Sequence, residues 1–158
     1  RALYEIVLEA QEAAIDAIRP GTKVDEIHQC AVGVLIDGLI HLGLLNGSRA
    51  EIQEQESHKP FYMHRTSHWL GADVHDAGRY KVNGESRVLE PDMVLTVEPG
   101  LYLGAQIEDL GPDWRGLGVR IEDDVLVIAD GHEVLTAEIP KQIAEVEAVR
   151  EEALRQRR

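Results

Sequence analysis

The chain has 158 residues, 44% hydrophobic and 28% charged, a mixture that excludes a disordered segment and suits one globular domain over residues 1–158. Sixteen Lys and Arg against twenty-nine Asp and Glu leave a formal charge of -13, which repels phosphate backbones and excludes nucleic acid as the expected partner. Cys30 is the only cysteine, so neither an intrachain disulfide nor a thiolate metal cluster can form, as expected of a reducing, cytoplasmic setting.

The chain opens on Arg1 without Met, as though cut from something longer, and its first residues lack the basic and apolar segments of a signal peptide. No apolar run approaches the roughly 18–20 residues that span a bilayer, so no membrane association is expected. From Leu3 to Ile18 apolar residues recur at three and four, the stripe of an amphipathic helix ended by Pro20-Gly21. A second helix is expected from Thr22, read as its N-cap, to about Leu42, with Gly43 as the stop. Asn46-Gly47-Ser48 is a turn, and Arg49 to Glu56 a short helix.

Beyond Lys59-Pro60 the texture changes to short strands and loops. Residues 61–80 hold three of the seven histidines. Met93 to Glu98 alternates as a strand, with Met93, Leu95 and Val97 on one face and Val94, Thr96 and Glu98 on the other. Pro99-Gly100 is expected to break it, and residues 104–117 read as loop. Val119 to Ile128 reads as one strand, turned by Asp130-Gly131 into Glu133 to Thr136. Pro140 opens a last helix carrying Ile143, Val146, Val149 and Leu154, whose end at Arg155-Gln156-Arg157-Arg158 should fray. Repeats, low-complexity tracts and linkers are absent from the sequence. The expected class is α+β.

Chemistry concentrates in three places. His64, His68 and His75 lie within twelve residues, and imidazole is both the commonest metal ligand and the commonest proton carrier near neutral pH. Spacing alone leaves turn-capping or packed histidines equally open. Glu98 ends an apolar strand, where it either meets water or, turned inward, needs a cation or donors. Arg120 and Glu122 share a strand face, and an exposed ion pair between them is the bland alternative. Asp123 and Asp124 add negative charge to that stretch and strengthen the case for a bound cation.

Together the segments resemble a known family. Phe61-Tyr62-Met63-His64, Ser67-His68-Trp69-Leu70-Gly71 and Asp73-Val74-His75-Asp76 are similar to the histidine region of aminopeptidase P. Leu89 to Tyr102, containing Thr96-Val97-Glu98-Pro99-Gly100, resembles the family's first glutamate strand, and Gly118-Val119-Arg120-Ile121-Glu122-Asp123-Asp124 its second. The resemblance implies the pita-bread fold, a curved antiparallel sheet backed by helices, shared with methionine aminopeptidases, prolidases and creatinases.

It further implies His68, Glu98 and Glu122 as metal ligands, Glu98 also taking a proton from water. His75 becomes the proton-handling, substrate-contacting histidine, and His64 and Arg120 become substrate-binding residues. The cofactor implied is a pair of divalent cations, manganese first, with cobalt, iron or zinc as competitors. Their shared hydroxide would release the residue before a proline at the second position of a peptide. The whole protein is then expected to be a homo-oligomer.

The family's two aspartate ligands sit on a hairpin upstream of the first helix, and Asp73, Asp76, Asp92, Asp123 and Asp124 do not match them. An N-terminally truncated domain with three of five ligands is therefore expected, with weak metal binding and little activity of its own. A prolidase acting on Xaa-Pro dipeptides is the enzymatic alternative, ahead of a creatinase-type amidinohydrolase. A protein-binding module of the same fold is the non-catalytic one.

Overall fold

In the computed structural model, which describes residues 1–108 and 110–157, the first helix is α1, Ala2–Asp16. Leu3, Val7, Leu8, Ala10, Ala14 and Ile15 are buried, as the three-and-four spacing requires. One member of the buried stripe is polar, Gln11, which is 1% exposed.

The second helix is α2, Val24–His41, and Thr22 is not its cap. The Thr22 hydroxyl donates to the Ala17 carbonyl at 2.9 Å, closing the turn after α1. Lys23 takes the cap position, where its backbone N–H donates to the Glu26 carboxylate at 2.9 Å. An acidic group three residues in thus satisfies an otherwise orphaned donor. Gly38 of α2 lies so close to α1 that a Cβ there would collide with Ile6. Gly43 follows α2 with φ +69°, the left-handed stop expected of glycine. Helix α3, Arg49–Glu54, is capped by Ser48, whose N–H donates to Glu51 at 2.8 Å.

Two short strands, β1 (Lys81–Val82) and β2 (Glu85–Ser86), pair around Asn83-Gly84. The strands that matter are β3 (Val94–Val97), β4 (Gly100–Leu103), β5 (Leu117–Arg120), β6 (Asp123–Ile128) and β7 (Gly131–Val134), with β3, β6 and β7 in one sheet and β4 and β5 in another. All their pairings are antiparallel: β3 with β6, β6 with β7, and β4 with β5. Pro99-Gly100 breaks the strand as expected, β3 ending at Val97, and the chain resumes as β4 at Gly100. One expectation changes here: the stretch 119–128 is not one strand, being interrupted at Ile121-Glu122.

The two interruptions face each other. Val97 pairs with Asp123 on one side and Gly100 with Arg120 on the other, so one register runs through the gap and sets Glu98 opposite Glu122. Pro99 has no N–H to give the ladder; its carbonyl accepts from Ile121 N at 3.4 Å. The gap interrupts two paired strands at the same level.

The last helix, α4 (Ile143–Gln156), begins after Gln142 rather than at Pro140, and none of its residues is buried. Val146, Val149 and Leu154, which stand at helical spacing, are exposed. The loop reading of residues 104–117 includes Asp109, and the fraying reading of 155–158 includes Arg158; both residues lie outside the described ones. Among the described residues no helix is long and apolar enough to cross a membrane.

His28 on α2 gives the fold a pH dependence. Its Nδ1 lies 2.8 Å from Thr66 Oγ1. Burial, helped by the nearby Arg65 charge, lowers its pKa from 6.5 to about 4. Between those values the unfolded chain binds a proton that the folded chain refuses. Stability is therefore full above pH 6.5 and falls as the pH drops toward 4, by at most about 3 kcal/mol. Chemical denaturation of the wild type and His28→Asn should give different slopes across that window; parallel slopes would rule His28 out.

Candidate metal centre

Residues 66–70 run antiparallel along the free edge of β3. Glu98 N donates to Thr66 O at 2.7 Å, Thr96 N to His68 O at 3.0 Å and Leu70 N to Val94 O at 3.1 Å. Strand alternation then sorts the side chains. Leu95 and Val97 turn to the buried side, at 1% and 0% exposure, while Thr96 and Glu98 share the opposite face with His68.

On that face His68, Glu98 and Glu122 each present a donor atom, and the three atoms lie within 4.8 Å of one another. His68 Nε2 is 3.4 Å from Glu98 Oε1. His68 Nδ1 lies 3.1 Å from the Trp69 carbonyl; since a carbonyl only accepts, the ring proton belongs on Nδ1 and the Nε2 lone pair faces Glu98. Two carboxylates and one lone pair therefore converge, and His68 Nε2 offers neither carboxylate a proton. Directly opposed like charges destabilise a strand pair, and burial together with Glu98 raises the Glu122 pKa. A divalent cation resolves that conflict, and the oxygen-rich set with one imidazole suits manganese, zinc or a neighbour. The residues fit a metal.

Arg120 pairs with Glu98, its Nη1 3.3 Å from Oε2, so the surface ion pair with Glu122 weighed from sequence is not what forms. Arg120 Nε also donates to the Tyr102 hydroxyl at 2.7 Å, which lies 2.8 Å from His64 Nε2. His64 Nδ1 donates to the Arg65 carbonyl at 2.8 Å, leaving Nε2 to accept from Tyr102. Arg120 Nη2 lies 3.2 Å from the same nitrogen. Arg120, Tyr102 and His64 thus form one chain of donors and acceptors beside Glu98.

Tyr102 and Thr96 were not among the predicted site residues. Thr96 accepts from His68 N at 3.1 Å and donates to Glu98 Oε1 at 3.4 Å. Both stand an even number of residues from Glu98, and strand parity was the signal that could have found them.

His75 lies on the exposed loop after Gly71, its ring 4.3 Å from that of His68 and nearly perpendicular to it. The loop is held by Asp76 N donating to Trp69 O at 3.1 Å and by Tyr80 stacked on Trp69 at 5.5 Å. Gly78 approaches the indole so closely that a Cβ would overlap it. Gly78→Ala should therefore destabilise by about 1–3 kcal/mol and shift the emission of Trp69. An unchanged urea midpoint would contradict the close approach.

Asp123, expected to add charge to the cation site, does not. It is 2% exposed on the opposite face of the sheet, where Gln11 Nε2 and Lys141 Nζ donate to it, the latter at 2.8 Å. Parity explains this: a strand cannot aim Glu122 and Asp123 at one ion.

Antiparallel strands backed by helices thus gather two carboxylates and an imidazole where the paired strands are interrupted. The model of metallopeptidase family M24 matches residues 1–129, and the chain belongs to that family. It is 47% identical over 149 residues to the Xaa-Pro aminopeptidase of Escherichia coli K12, covering 94% of this chain and 33% of that protein. The structure of the Pseudomonas aeruginosa aminopeptidase PepP superposes with a TM-score of 0.90 at 54% identity, over 93% of this chain and 33% of that one. Zn-substituted E. coli aminopeptidase P in complex with product gives 0.88 at 47%, over 94% and 33%. The fold is therefore that of the aminopeptidase P structures, the pita-bread fold. The chain spans about a third of the length of these relatives.

Proposed function

We propose that the whole protein is a metal-dependent aminopeptidase that releases the first residue from peptides with proline second. The observation carrying this reading is the convergence of the His68, Glu98 and Glu122 donor atoms within 4.8 Å, in a chain that belongs to a metallopeptidase family. His68 Nε2 and the two carboxylates would hold a divalent pair. When bound, such cations acidify a water and polarise a carbonyl. Manganese is the proposed ion, on the chemistry of the donor set.

The chain's own residues do the rest. Glu98, half-neutralised by Arg120, accepts a proton from the attacking water. His75 stands against His68 at the open side and is the group to stabilise or protonate the tetrahedral species. Arg120 and His64, tied through Tyr102, stand beside Glu98 and orient the peptide. The same reading carries a homo-oligomer and a cytoplasmic setting, the latter in keeping with a free, exposed Cys30.

Three protein donors make a thin shell for two ions, so the 158-residue chain by itself is proposed to bind metal weakly and turn over little. Assaying it beside the complete gene product that contains it, on an Xaa-Pro-Yaa peptide with added manganese, tests both statements. Activity confined to the complete product and lost on chelation supports them. Equal activity from the two refutes the second, and cleavage of Xaa-Pro dipeptides alone reassigns the protein to the prolidases. Absence of metal binding by the complete product favours a protein-binding module.

A further inference from the structure

We infer that Asp123 is a positioning residue for Glu122, fixing the interrupted strand from behind so that the neighbouring carboxylate meets His68 and Glu98. The inference rests on the metal-centre reading above. Glu122 sits in the interruption between β5 and β6, opposite Glu98, with the ladder pair Val97–Asp123 on one side and Ile121 N donating to Pro99 O at 3.4 Å on the other. Glu122 itself lies outside both strands, although a metal ligand must be held to a fraction of an ångström.

The grip comes from the other face. Asp123 is the first residue of β6 and the only carboxylate among the buried residues there; its inner-face neighbours Ile121, Val125 and Val127 are all apolar. Thr136 Oγ1 donates to its Oδ1 at 2.5 Å and Lys141 Nζ to the same oxygen at 2.8 Å. Gln11 Nε2 donates to Oδ2 at 2.5 Å. Lys141 in turn donates to the Ile139 carbonyl at 3.0 Å, and Thr136 Oγ1 accepts from Asp124 N at 3.0 Å. Helix α1, the residues after β7 and the strand itself thus meet at one carboxylate, one peptide unit from Glu122.

Burying a charge at such a place stabilises little, since an apolar side chain of similar size often serves the fold as well. What the ion-paired carboxylate adds is fixed geometry. A polar group behind a ligand typically affects metal affinity 10- to 100-fold.

The test uses the complete gene product, titrated calorimetrically with manganese, alongside near-UV circular dichroism of the metal-free protein. Asp123→Val keeps the apolar alternation of β6 and should fold, yet bind manganese about 10- to 100-fold more weakly. Asp123→Asn retains acceptors for Thr136 and Lys141 and should recover most of the loss. Thr136→Val and Lys141→Met each remove one arm and should weaken binding less, in the same direction. A folded Asp123→Val protein with unaltered manganese affinity overturns the inference while leaving the metal centre intact. Should that variant not fold, unaltered affinity in both single-arm variants overturns it equally. No binding by the parent overturns the metal centre itself.

Discussion

Glu122→Gln in the complete gene product is expected to move two properties in opposite directions. Without metal, the variant loses the repulsion between carboxylates that face each other across the interrupted strands, so its melting temperature should stay level or rise, by the equivalent of about 0.2–1 kcal/mol. The raised Glu122 pKa points the same way, since burial and Glu98 already disfavour its charge. With manganese present, the parent gains stability in proportion to ligand binding, and the variant should gain almost none. Turnover should fall at least about 10³-fold. A structural ion pair would behave otherwise: removing it lowers stability with or without metal. Thermal melts at a series of manganese concentrations, run on both proteins, separate the two cases.

Arg120→Leu should separate catalysis from metal binding. The guanidinium reaches Glu98 Oε2 at 3.3 Å, Tyr102 Oη at 2.7 Å and His64 Nε2 at 3.2 Å. Its loss strips donors from all three, and kcat/KM should fall about 10²- to 10³-fold, the usual cost of a removed electrostatic partner. Manganese affinity should hold or increase, because Arg120 competes with the metal for Glu98. Arg120→Lys should recover less than about tenfold, since an ammonium cannot serve three acceptors from one planar fork. Parallel loss of metal and activity would reduce Arg120 to a scaffold for Glu98.

Much of this was legible in the sequence where local physics decides. The stripe of α1, the glycine after α2 and the alternation around Leu95 and Val97 follow from periodicity and burial. So does the sorting of Arg120 and Glu122 from Ile121 and Asp123. The resemblance supplied the candidates His64, His68, His75, Glu98, Arg120 and Glu122, and the fold brings His68, Glu98 and Glu122 to one face with Arg120, His64 and His75 beside them. What remained hidden depends on pairs distant in sequence. Pro99-Gly100 reads locally as a stop and is one, and only the partner strand, interrupted at Ile121-Glu122, shows that the register continues beyond it. Thr22 has the chemistry of a cap but finds Ala17 O nearer. Gln11 and Asp123 are 112 residues apart, and each alone reads as surface. The exposed apolar residues of α4 follow from no local rule, since a helical spacing names a face without naming what covers it.

Anomalous scattering at the manganese edge, from crystals of the complete gene product, tests the central assignment most directly. A peak bonded to His68 Nε2 and to carboxylate oxygens of both Glu98 and Glu122 is the predicted result. Manganese bound elsewhere, with those three side chains making no contact to it, would contradict the assignment outright.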